Sequence, residues 1–102
     1  MIRAILTMKV KEGQEGDFEQ AWQSVAEYTR GVPGNLRQTL GQSVHDPSLF
    51  IITSDWESQD AFHHFERSPE QDRVTAPLRA LRESARMDIQ YIVAQIERNI
   101  AS

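Results

Sequence analysis

The stretch Leu49-Phe50-Ile51-Ile52-Thr53-Ser54-Asp55-Trp56 decides the fold. Its β-branched and aromatic residues lie between the turn former His45-Asp46-Pro47-Ser48 and the helix cap Ser58, so it reads as a strand. Alternation sends Phe50, Ile52 and Trp56 to one side and Leu49 and Ile51 to the other. A strand that is apolar on both sides belongs to a sheet covered on both faces.

Upstream, the Asp46-Pro47 turn joins this strand to a partner over residues 35–45, which the Pro33-Gly34 turn opens. Before that turn, Asp17 is expected to cap a helix through Arg30, with Phe18, Trp22, Val25 and Thr29 on one stripe and Gly31 ending it. The first strand spans residues 2–10. It sets Ile2, Ala4, Leu6, Met8 and Val10 opposite Arg3, Ile5, Thr7 and Lys9.

Downstream, Ser58 caps a helix carrying Ala61, Phe62 and Phe65. Ser68-Pro69-Glu70-Gln71 has the pattern of a capping box with proline at the first helical position, so the helix restarts there. Val74, Leu78 and Leu81 extend the apolar stripe, and Pro77 is expected to kink or divide the segment. Residues 85–97, rich in β-branched side chains, form the last strand.

The order βαββαβ, with right-handed crossovers, predicts an α+β, ferredoxin-like fold: one domain over residues 1–102, with a four-stranded antiparallel sheet and its helices on one face. The other face then needs a cover, most simply the sheet of a second copy. A homodimer is the expectation.

Composition narrows the functional classes. The net charge is −4 with lysines and arginines scattered, which argues against a nucleic-acid partner. No cysteine is present, which removes disulfides, thiolate nucleophiles and cysteine zinc sites. The apolar N-terminus is interrupted at Lys9 and reads as a strand, not a leader or membrane span, so a cytoplasmic location is expected.

The histidines look like the chemical feature of the second helix, but geometry turns them outward. Successive helical residues are about 100° apart, so His63 and His64 fall on opposite flanks, each roughly 130° from the Phe62/Phe65 direction. No partner at metal-binding spacing is apparent, His45 lies in a turn, and no metal is expected. Trp56 is the more informative residue. It ends its strand beneath Phe62 and Phe65, either as core or as one wall of an apolar pocket.

The pattern "FIITSDWESQDAFHHFERSP", followed by "LRAL" and preceded by "VPGN", resembles the antibiotic biosynthesis monooxygenase family across nearly the whole chain. That resemblance implies a dimeric α+β barrel and, in one branch, oxidation of anthrone-type or other phenolic polyketides by molecular oxygen with no cofactor. It assigns catalytic positions to Trp56 and Arg79, with Arg79 holding a substrate anion. Leu6, Trp22, Ile52, Phe62 and Phe65 are the expected apolar substrate-binding walls. Two asparagines of the family fall at Leu6 and Ile52 here, which leaves open a non-oxidative cyclase or accessory binding protein of the same fold. In the haem-degrading branch the iron-ligating histidine falls at Val74 or Thr75, so that branch fits this chain less well.

Overall fold

A computed structural model describes residues 1–98 of the chain. In order it contains β1 (Ile2–Val10), α1 (Glu15–Thr29), β2 (Asn35–Gln42), β3 (Leu49–Trp56), α2 (Gln59–Glu66), α3 (Pro69–Leu81) and β4 (Arg82–Tyr91). The strands form one sheet, ordered β2-β3-β1-β4, with every neighbouring pair antiparallel. This is the ferredoxin-like α+β arrangement, its second helix broken into α2 and α3.

The period-two pattern of β1 divides the faces. Ile2, Ala4, Met8 and Val10 are buried under the helices. Register places Leu40, Ile52, Leu6 and Met87 in one line across all four strands, an apolar row running the width of the sheet. The opposite face carries Arg3, Ile5, Thr7 and Lys9 from β1 and Leu49, Ile51, Thr53 and Asp55 from β3. On it Asp55 is 1% exposed, held by Arg3 through bonds of 2.8 and 3.1 Å and by Arg37 at 3.6 Å. Asp55 thus faces away from Trp56, as its parity requires. The pairing with Asp55 raises the Arg3 pKa further above its already high value.

Caps explain the helix boundaries. Ser58 Oγ accepts from Ala61 N, and Ser68 Oγ accepts from Gln71 N with Pro69 in the first turn. The reciprocal half of the expected capping box is replaced, because Ser68 N donates to Phe65 O. The Gln71 side chain is therefore released from the helix end.

Several expected boundaries move. Helix α1 starts at Glu15, two residues before Asp17; Gln14 makes no side-chain cap, and Glu15 and Asp17 instead place carboxylates at the positive end of the helix. It ends at Thr29 with Arg30 as its cap, and Gly31 does not adopt a left-handed conformation. Strand β2 stops at Gln42, because Ser43 Oγ accepts from the backbone of His45 and Asp46 and draws the chain into a turn. In that turn Asp46 accepts from Lys9 and Ser48, which lowers its carboxyl pKa to about 2.

Strand β4 begins directly after α3 and ends at Tyr91, not residue 97. Its partner β1 starts at Ile2, opposite Tyr91, so no strand remains for residues 92–97 to pair with. Pro77 does not divide α3. Its missing N–H removes only one bond from a helix packed along its length.

The Val32-Pro33-Gly34-Asn35 turn closes through Asn35 N donating to Val32 O at 3.2 Å, with Gly34 at φ 90°. A Cβ at Gly34 would lie 2.5 Å from Ala61 Cβ, so this turn and α2 touch at a point where only glycine fits. Gly34→Ala is expected to destabilise the fold by at least about 2 kcal/mol, from strained φ plus the clash. Gly16→Ala, in open space in α1, should be neutral or stabilising by up to about 1 kcal/mol. Urea unfolding of both variants checks the contrast.

Candidate active site

The helix-covered side holds two packed clusters. One unites Met8, Val10, Phe18, Val25, Phe50 and Leu78 beneath α1 and α3. The other unites Ile2, Ala4, Trp56 and Phe62 beneath α2. Between them lies a cavity of about 120 Å³, several times the roughly 10–15 Å³ that one water requires.

Its floor is the sheet: Ala4, Leu6, Ile52, Ser54 and Met87. Trp22, Val25 and Thr29 of α1 line one side, Phe62, Phe65 and Glu66 of α2 another, and Gln71, Thr75 and Leu78 of α3 a third. Trp56 forms the end wall. It is fully buried, donates its indole N–H to Ser54 Oγ at 2.9 Å, and stacks tilted on Phe65 at 4.9 Å and edge-on to Phe62 at 5.7 Å. The floor and walls are mostly apolar, a chemistry suited to a flat aromatic ligand.

The polar groups are few, and their hydrogen bonds are largely committed. Gln38 Nε2 donates to Ala26 O at 2.7 Å, leaving its oxygen as an acceptor. The hydroxyls of Thr29 and Thr75 donate to the Val25 and Gln71 carbonyls. Ser54 Oγ has accepted the indole proton and keeps its own hydrogen to donate, and the Gln71 amide makes no side-chain bond among the described residues. A ligand in the cavity therefore meets neutral donors, Ser54 and Gln71 among them.

Leu6, Trp22, Ile52, Phe62, Phe65 and Trp56, the residues expected from the sequence, all line this one cavity. Arg79 does not. Its guanidinium folds back along α3, donating to Thr75 Oγ1 at 2.6 Å and to Asp72 O at 2.9 Å, with the Asp72 carboxylate 3.4 Å away. It borders an adjoining groove with Arg82, between α3 and β4, that shares Leu6, Gln71, Thr75, Leu78 and Met87 with the cavity, so its guanidinium stands beside the cavity, bonded to the lining residue Thr75. The helix satisfies this arginine through its own backbone and i−4 side chain, which spacing alone does not reveal.

Sequence reasoning misses Glu66. It is the one ionisable side chain among the cavity-lining residues, one turn beyond Phe62 on the same side of α2. The carboxylate also lies 3.3 Å from His63 Nδ1, three residues earlier, a pairing at helical spacing that the outward direction of the histidines conceals. Among the described residues no group of three or more histidine or acidic side chains is arranged to hold a metal.

The fold defines a small α+β protein with an aromatic-walled, largely apolar cavity between sheet and helices. The chain belongs to the antibiotic biosynthesis monooxygenase family, whose model matches residues 1–76. It is 29% identical over 77 residues to protein SchA of Streptomyces halstedii and 30% identical over 77 residues to a 42.8 kDa protein in the whiE locus of Streptomyces coelicolor. Each match covers 76% of this chain but only 20% and 19% of those proteins, so the chain spans about a fifth of their length. In structure it is similar to a point mutant of SnoaB, a cofactor-independent oxygenase from Streptomyces nogalater, with a TM-score of 0.87, 20% identity, and 95% and 97% of the two chains covered. It is also similar to a protein of Nitrosomonas europaea described as an antibiotic biosynthesis monooxygenase, with a TM-score of 0.82, 19% identity, and 92% and 100% covered. No helix among the described residues is long and apolar enough to cross a membrane.

Ile52→Phe, which fills the floor, is expected to weaken binding of a compact neutral aromatic such as 1-naphthol by about tenfold, some 1.4 kcal/mol. Arg79→Ala should leave that affinity within about twofold, the size of a surface effect. Quenching of tryptophan fluorescence measures both.

Proposed function

We propose that this protein is a cofactor-independent monooxygenase that oxidises a flat, hydroxylated aromatic compound of polyketide type, anthrone-like in shape, with molecular oxygen. The observation that carries the reading is the cavity itself: Trp56, Phe62, Phe65 and Trp22 surround a space whose floor is aliphatic. Family membership and the likeness to SnoaB support it.

An electron-rich phenol, once deprotonated, gives one electron to oxygen, and recombination of the two radicals forms a carbon–oxygen bond. The resulting hydroperoxide loses water to leave a quinone. One anthrone and one O₂ yield one anthraquinone and one H₂O, so atoms and electrons balance. The protein contributes by holding the ring flat against Trp56, excluding bulk water and offering Ser54 and Gln71 to the anion.

The second reading, a non-oxidative cyclase or accessory binding protein, draws on Leu6 and Ile52, which face each other in register where an oxygenase of this kind is expected to carry asparagine. Oxygen consumption separates the two. With 1,8-dihydroxyanthrone, uptake equimolar with quinone and above the buffer rate is expected; tight binding without uptake would favour the second reading.

We also propose that the open face of the sheet pairs with that of a second copy. Ile51 there is 39% exposed, with Ile5 and Leu49 half-buried beside it. Light scattering should give twice the 11.7 kDa chain mass, and Ile51→Asp, which places charge in that contact, should return the protein to the mass of one chain.

A further inference from the structure

We infer that Glu66 is the general base of the proposed oxidation, taking the proton of the substrate hydroxyl; this rests on the oxygenase reading above. Three observations converge on it. Every other side chain lining the cavity is apolar or neutral, so Glu66 alone can take a proton there. It follows Phe62 by one helical turn and is adjacent to Phe65, the two rings that pack on Trp56, so a ring held by these walls presents its edge to the carboxylate. Finally, only Oε1 is engaged, by His63 at 3.3 Å, which leaves Oε2 without a partner among the described residues.

Charge conservation favours this assignment. No cation is among the cavity-lining residues; Arg79, bonded to the lining residue Thr75 and to Asp72, faces the adjoining groove. Ionising a phenol to solvent would therefore add an uncompensated negative charge to an apolar space. Transfer to a carboxylate already present moves the charge and adds none. In the enol tautomer of an anthrone the 9-hydroxyl O–H bond breaks, the Glu66 Oε2–H bond forms, and the electron pair delocalises from that oxygen to C10, giving the anion that reduces O₂.

The cycle closes on the same group. Glu66 returns its proton to the peroxide anion, giving the hydroperoxide; it then takes the ring C–H proton as the O–O bond breaks and passes it to the leaving hydroxide, which departs as water. The side chain is 44% exposed and His63 31% exposed, so the pair also reaches solvent, where stray protons exchange. His63 is the positioning residue, fixing the carboxylate rotamer from outside.

The test is steady-state oxygen uptake with 1,8-dihydroxyanthrone. Glu66→Gln is expected to lower kcat by about 10²-fold, in the range of general-base removal, with KM within about threefold. The deficit should shrink for anthrones acidic enough to be ionised at the assay pH, a dependence that a merely structural glutamate would not produce. Wild-type uptake with an unchanged kcat in Glu66→Gln would overturn the base while leaving the oxygenase reading intact.

If the wild type takes up no oxygen, binding decides instead. Wild type should then prefer 1,8-dihydroxyanthraquinone over anthraquinone by about tenfold, the scale of one hydrogen bond to a charged group. Loss of that preference in Glu66→Ala would support the hydroxyl contact even though the oxygenase reading had failed. A preference kept in full would overturn it.

Discussion

The contact between the Trp56 indole and the two phenylalanines of α2 is the interaction on which the site depends. Trp56 ends the inner strand β3, fixed by pairing with Ile2 on one side and Asn35 on the other and by its bond to Ser54. Phe62 and Phe65 rest on it, so the position of α2 over the sheet follows from where the indole stands. Gly34 sets the closest approach from the other side, since its missing side chain lets Ala61 settle against the turn. Move the indole and α2 moves with it.

That constraint also explains the cavity. The sheet supports one core under α1 and α3 and another under α2, and the helix break at Ser68 keeps the roof from closing evenly over both. The gap falls over the Ile52–Leu6–Met87 part of the apolar row, where unbranched or aliphatic side chains leave room that larger ones would occupy. A close-packed interior leaves few such spaces, so one lined by four aromatic side chains is informative.

Much of this is legible in the sequence because it depends on local rules. Strand β3, the serine caps at 58 and 68, the Pro33-Gly34 turn and the apolar face of β1 each follow from residue type and period. The end of β4 does not follow, because it is set by where β1 starts and not by the β-branched run that continues beyond Tyr91. Arg79 departs from expectation for a similar reason: its position on α3 can be counted, but its bonds to Thr75 and Asp72 depend on a rotamer that no spacing encodes. Glu66 is within reach of sequence reasoning, since its i+4 relation to Phe62 places it on the same wall; the paired histidines beside it, weighed as metal ligands, draw attention from it.

The central claim is that the space beside Trp56 receives a flat hydroxylated aromatic ring. A crystal structure of the protein soaked with 1,8-dihydroxyanthraquinone tests it most directly. The account predicts density for the ring system between Trp56 and the Leu6–Ile52 floor, with a hydroxyl within hydrogen-bonding distance of Glu66. Density for the ligand only on the outer surface, with the cavity empty or closed by a shift of α2, would contradict it.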